Sequence, residues 1–249
     1  MNINFQNLTK SYQGRTIFQK ISGKLGTGER IGLVGSNGIG KTTLAKIIAG
    51  KETKDEGQIS ISPSWAKIAY AEQLEDFSSG LIVYAEVLQA AAGEKNPEQL
   101  ASSALGRMGL GQELWHRQAK SISGGEKTKL SLCKAMVQSF DFLILDEPTN
   151  HLDLSSINVL EEYLLSLKEP ILVISHDRFF LDKIATGIWE LTRSGLRAYP
   201  GNYTAYKQQK EIELKALNRQ YNKQEEKIEH LKQEINERSN WFRGAHRAA

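Results

Sequence analysis

Short apolar runs, turn residues and stretches of helical periodicity alternate through residues 1–203, the pattern of an α/β domain. Ile31–Val34 runs into a Gly-rich loop, and a helical segment, Lys41–Ala49, follows and stops at Gly50. Gly57–Ser62 and Ala66–Ala71 read as strands. Leu81–Leu110 reads as helical, with Asn96 offered as an N-cap, Pro97 as the first helical residue and Gln99 as the third. Phe142–Leu145 and Ile171–Ile174 are continuous apolar runs, the signature of strands buried on both faces.

The character of the chain changes from Thr204 onward. Gly and Pro vanish until Gly244, and Lys, Glu and Gln dominate. Leu214, Leu217, Tyr221, Gln224, Ile228, Leu231 and Ile235 fall at alternating spacings of three and four, a heptad stripe with one polar interruption. The pattern predicts a body over 1–203 and a charged helical segment over 204–249, about 50 Å long if some 35 residues are helical. The net charge of +3 belongs to this tail, with ten basic and seven acidic residues; the body holds 22 of each. Trp241-Phe242-Arg243, followed by His246-Arg247, adds an aromatic and basic cluster. Such a face is expected to reach nucleic-acid phosphates; a solvated, salt-bridged helix is the alternative reading of the same composition.

No run approaches the length of a membrane span, and Met1–Asn4 lacks a basic-then-apolar signal pattern. The one cysteine, Cys133, lies in an apolar helical stretch and reads as a small buried residue. A reducing cytoplasm is the expected location. His116, His230 and His246 read as surface residues, and no His/Cys cluster has the spacing of a zinc site.

Three segments carry candidate chemistry. Gly35-Ser36-Asn37-Gly38-Ile39-Gly40-Lys41-Thr42 matches G-x-x-x-x-G-K-[ST] between a strand and a helix. Its glycines let backbone N–H groups curl around phosphate oxygens, and the helix N-terminus adds its dipole. Lys41 is expected to reach the β- and γ-phosphates and Thr42 to ligate Mg²⁺, with Thr43 closing the nucleotide-binding set. Phe142–Leu145 delivers Asp146 to the Mg²⁺ shell and Glu147 to the attacking water. Ser123-Gly124-Gly125-Glu126 opens a helix 23 residues before Asp146 and presents N–H groups and a hydroxyl at its start.

With these three in order, the chain resembles the ABC ATPases. The resemblance implies an α/β fold of the P-loop NTPase, ABC cassette type, with an antiparallel β subdomain and a helical subdomain, followed here by a long C-terminal helix. It implies ATP and Mg²⁺ as ligands and a composite site, in which Ser123–Glu126 binds the γ-phosphate of a nucleotide held by a second cassette. Tyr12 is similar to the aromatic residue that stacks on adenine, though an ordinary strand aromatic would look the same. Gln73 resembles the glutamine that senses Mg²⁺ and γ-phosphate, and His151-Leu152-Asp153 resembles the D-loop, with Asp153 in the nucleotide-binding set. His176 resembles the switch histidine, or else caps a strand end.

Local sequences point to the ABC-F branch: Ser123–Lys129 (SGGEKTK), Asp146–Asp153 (DEPTNHLD), Ser175–Phe179 (SHDRF) and Tyr199–Tyr206 (YPGNYTAY). That branch is soluble, carries two cassettes in tandem, and mostly binds the ribosome near the exit-site tRNA, as translation factors or antibiotic-resistance proteins. The basic face of the tail is then expected to reach the phosphates of ribosomal RNA or tRNA. Here one cassette is followed by the start of a linker, so the chain is expected to be the N-terminal part of a longer protein. About fifty residues separate Gln73 from Ser123, too few for the arm insertion of some translation factors, which leans toward the resistance type. The alternative is the ATPase subunit of a membrane transporter with a fused helical tail.

Overall fold

The computed structural model describes residues 1–72, 77 and 80–245. Strands β1 (Asn2–Tyr12) and β2 (Arg15–Gly26) form an antiparallel hairpin across Gln13-Gly14. Both turn residues have positive φ, +48° and +80°, as a two-residue turn between right-twisted strands requires. β4 (Glu56–Ser62) pairs with the other edge of β1, giving a three-stranded sheet β2-β1-β4.

The larger sheet runs β5 (Ile68–Ala71), β6 (Phe142–Asp146), β7 (Ile171–Ile174), β3 (Arg30–Val34), β8 (Gly187–Thr192), β9 (Gly195–Pro200). β5 to β8 are parallel in that order, and β9 returns as an antiparallel hairpin on β8. β6 and β7 are buried along their whole length. Side chains alternate across a strand, so Phe142 and Ile144 join one core while Leu143 and Leu145 join another.

The first of these cores is shared with the small sheet and with α1 (Lys41–Ile48). Phe5 meets Trp189 edge-on there, with ring centroids 5.5 Å apart. The second lies under a helical layer of α2 (Val83–Ala90), α3 (Pro97–Arg107), α4 (Gln112–Trp115) and α5 (Gly124–Val137), together with α6 (Leu154–Ser166) and α7 (Arg178–Ile184).

The single helical stretch expected over Leu81–Leu110 is in fact two helices. Residues between them turn, and Asn96 adopts φ +55° and ψ +58°, with no side-chain bond to the helix that follows. Asn96 thus takes the expected N-cap position without a side-chain capping bond, and α3 starts on Pro97, whose missing N–H would have had no partner there. α5, by contrast, opens with a complete capping box: Ser123 Oγ accepts from the Glu126 amide, and the Glu126 carboxylate accepts from the Ser123 amide at 2.7 Å.

Contacts divide the chain into Met1–Thr204 and Ala205–Ala249. The last helix, α8, spans Tyr203–Ala245, 43 residues, or about 65 Å. Within it Ile212, Leu214, Leu217 and Tyr221 are exposed, and Glu211 pairs with Lys215 one turn on. The side chains of Ile228, Leu231, Ile235 and Trp241–Arg243, and all of His246 and Arg247, lie outside the described residues. No helix among the described residues is long and apolar enough to cross a membrane.

Cys133 sits in the helical core with no exposure, its thiol bonded to the Ala104 carbonyl at 3.3 Å and its pKa pushed far up by burial. The native chain should therefore resist an aromatic disulfide reagent at pH 8 and react stoichiometrically in denaturant. Rapid labelling of the native form, followed by absorbance, would contradict this packing.

Candidate functional site

The loop between β3 and α1 is shaped by what its glycines allow. A Cβ on Gly35 would lie 2.5 Å from the Leu191 carbonyl oxygen, which is backbone and cannot yield. Gly40 has φ +107°, and a Cβ there would meet Ile17 at 2.4 Å. Only residues without side chains let the chain leave the sheet edge and curl back into α1. Lys41, the first residue of α1, is buried, and its ammonium donates to the carbonyls of Gly35 at 2.9 Å and Ser36 at 3.3 Å. Burial lowers its pKa, with Glu147 and Asp146 pulling it back up. A phosphate oxygen is a stronger acceptor for an ammonium than a peptide carbonyl, so these are contacts that an anion in the loop can replace.

Beside the loop lies a cavity of about 460 Å³. Asn37, Gly38, Gly40, Lys41, Thr42 and Thr43 line it from one side; Asp146, Glu147 and His176 do so from the ends of β6 and β7. Ile17, Asn150 and Ile174 line it too, and none of these three was singled out from the sequence. Asn150 had a local cue, lying three residues after Glu147 with its amide bonded to the Glu147 carbonyl. Ile17 and Ile174 reach the cavity only through tertiary packing.

Asp146 is 3% exposed. One carboxylate oxygen, Oδ2, accepts from the Tyr70 hydroxyl at 3.2 Å, while Oδ1 is buried without a hydrogen-bond partner among the described residues. Burial raises its pKa, against the pull of the Thr42 and Tyr70 hydroxyls and of Lys46 and Lys41. An orphaned buried carboxylate oxygen next to a threonine hydroxyl is a donor set that fits a hard divalent cation.

Glu147 follows at φ +50°, its amide tied to the Ile174 carbonyl at 2.8 Å. Its two oxygens meet the amide and imidazole of His176: Oε2 accepts from the amide at 3.3 Å, and Oε1 lies 3.2 Å from Nε2. Burial is the main cause that raises its pKa; His176 and Lys41 oppose it, and Asp146 adds to it. A carboxylate moved toward neutral pKa is a better proton acceptor than an ordinary one.

Among the described residues, several other expected positions do not line the cavity. Asp153 caps α6, accepting from the Ser156 amide at 2.8 Å, and takes the Lys129 ammonium at 2.6 Å. Those bonds, Lys129 first, hold its pKa far below the usual carboxylate value. Ser123–Glu126 are spent on their own helix cap, and a Cβ on Gly125 would lie 2.9 Å from the His151 carbonyl. Tyr12 ends β1 at 42% exposure, with the Lys10 ammonium 4.8 Å from its ring centroid. Gln73 lies outside the described residues.

This chain matches a family model described as ABC transporter over residues 18–150, and a second of the same description over 189–249. The chain belongs to the ABC transporter ATP-binding family. The cassette is 38% identical to the ATP-binding protein YdiF of Bacillus subtilis over 86% of its own length and 34% of that protein's. It is 32% identical to the ribosome protection protein VmlR of the same organism, over 98% of this chain and 41% of VmlR. The energy-dependent translational throttle protein EttA of Escherichia coli O6:H1 is 35% identical over 84% of this chain and 38% of EttA. The chain thus spans about two fifths or less of these relatives.

Among solved structures, the ATP-binding subunit of an ABC transporter matches with a TM-score of 0.72 at 22% identity, covering 80% of this chain and 90% of that one. A dimeric ATP-binding cassette in a post-hydrolysis state with ADP and phosphate matches at 0.69 and 18% identity, covering 80% and 98%. At these identities the likeness establishes the fold, an ABC-type α/β cassette.

Raised carboxylate pKa values carry a sign for stability. Asp146 and Glu147 bind protons more readily folded than unfolded, so their contribution favours the fold at low pH and is lost as pH rises through their raised pKa values. Asp146→Asn should therefore raise the melting temperature at pH 7.5 in EDTA, by about 2–4 °C for each kcal/mol relieved. The gain should shrink toward pH 4. Scanning calorimetry checks this, and a lower melting temperature at pH 7.5 would mean the carboxylate is not under strain.

Proposed function

We propose that this ATP-binding cassette hydrolyses ATP in a site completed by a second cassette, as part of an ABC-F protein acting on the ribosome. In this reading the loop from Gly35 to Thr43 wraps the phosphates, Lys41 exchanges its carbonyl partners for β- and γ-phosphate oxygens, and Tyr12 stacks on the adenine. Thr42 and Asp146 would hold Mg²⁺, with Gln73 read as its sensor, and the cation would supply positive charge against the phosphates. Glu147 takes up the proton of the attacking water, and His176 orients the Glu147 carboxylate from the γ-phosphate side.

Hydrolysis in trans is supported by the position of Ser123–Glu126. These residues do not line the cavity that holds Lys41 and Glu147, and they form the capping box that opens α5. Asp153, fastened to Lys129 of that helix, would face the same second cassette. A head-to-tail pair of such cassettes closes on itself with each signature over the other's loop.

The ribosome reading rests on one observation above the others: VmlR, a ribosome protection protein, aligns with nearly the whole chain. EttA, a translational throttle protein, aligns with its greater part, and the DEPTNHLD and SHDRF segments agree. YdiF is described only as ATP-binding.

The specific rate of ATP hydrolysis should rise with protein concentration, and Glu147→Gln should lower it about 10²–10⁴-fold while nucleotide affinity holds. A high rate in a demonstrated monomer, independent of concentration, would contradict the composite site. For the partner, Glu147→Gln protein with ATP should sediment with ribosomes through a sucrose cushion, and less so as salt rises. Recovery with membrane proteins and none with ribosomes would instead support a transporter subunit.

A further inference from the structure

Asp146 is served by a side chain outside every motif described above. Tyr70 lies on β5, paired with Ile144 of β6, and its hydroxyl reaches across the sheet to Oδ2 of Asp146 at 3.2 Å. Oδ1 has no partner among the described residues. The two oxygens are thereby made unequal, one committed and one open. The phenol hydroxyl is the donor in that bond and the carboxylate the acceptor.

Tyr70 is itself held. The Lys51 ammonium sits 5.0 Å from its ring centroid. Two residues on, Glu72 pairs with Lys51 at 2.8 Å and with Lys46 of α1 at 3.3 Å. Lys46 is one helical turn beyond Thr42, so the end of β5 is fastened to the helix that carries the threonine hydroxyl and, through Tyr70, to the aspartate opposite.

We propose that Tyr70 is a positioning residue for the cation-binding carboxylate: its bond to Oδ2 fixes the rotation of the Asp146 side chain and leaves Oδ1 for the divalent cation. This inference rests on the reading of Asp146 as a cation ligand. A carboxylate without that bond can turn either oxygen toward Thr42 or the nearby ammoniums, and the cation must then work against those arrangements. Loss of such a partner behind a metal ligand weakens metal affinity by about 10–100-fold.

Tyr70→Phe tests this, since it keeps the ring and its contact with Lys51 and removes only the hydroxyl. ATP affinity of the full chain is measured by calorimetry in EDTA and in Mg²⁺, and Mn²⁺ is titrated onto the ATP-bound protein by electron paramagnetic resonance. The expected result is unchanged ATP affinity in EDTA, a gain from Mg²⁺ that falls about 10-fold, and a matching loss of Mn²⁺ affinity. An equal loss of ATP affinity with and without the cation would show a general packing role and overturn the proposal. Asp146→Asn, run in parallel, separates the two claims. If it retains the full gain from Mg²⁺, the reading of Asp146 fails; if it loses that gain while Tyr70→Phe keeps it, the assignment of Tyr70 fails alone.

Discussion

A strand buried on both faces that ends in two carboxylates is an electrostatic liability, and the architecture around β6 answers it. Asp146 and Glu147 sit in low-dielectric surroundings that raise the pKa of both. Lys41 sits across the cavity, itself lowered by burial and supported by the same two acids. His176 brackets Glu147 and Tyr70 holds one oxygen of Asp146. Among the described residues the site is therefore an incompletely compensated charge cluster, with one carboxylate oxygen unpaired and an ammonium bonded to carbonyls. A polyphosphate with its cation supplies both missing charges at once, which makes nucleotide binding a completion of the fold's own electrostatics.

What could be read in advance was what the chain encodes locally. The passage from β3 through Gly35–Gly40 into α1, the apolar strands ending at Asp146 and Ile174, and the start of α5 at Ser123 all depend on neighbours within a few residues. Their glycines, caps and unbroken apolar runs state the structure directly. The β1–β2 hairpin had a cue in Gln13-Gly14 but little clean alternation, because register shifts interrupt the pairing of β1 with both of its neighbours. Asn96 holds the cap position its residue type suggested, yet its left-handed backbone leaves the side chain without a capping bond.

The rest of the cavity was illegible for a different reason. Ile17 arrives from the hairpin, and Tyr70 meets Asp146 across 76 positions of sequence. Which residues face each other there follows from the strand order β5-β6-β7-β3, a tertiary fact that no local window contains. Asp153 shows the converse limit. Its place in a recognisable segment was plain, but its bonds to Lys129 and Ser156 tie it to helices rather than to the cavity.

The alternation of β6 and β7 has an evolutionary corollary. Phe142, Ile144, Leu172 and Ile174 pack in the core shared with the small sheet, while Leu143, Leu145, Ile171 and Val173 pack beneath the helical layer. Residues adjacent in sequence thus answer to separate neighbourhoods, and a change on one face places no demand on the other. The helical layer can diverge, acquire insertions or be redesigned through compensating changes at every second strand position. The wall that presents Asp146 and Glu147 keeps its other face throughout, so one edge of the cavity can be inherited intact beneath very different coverings.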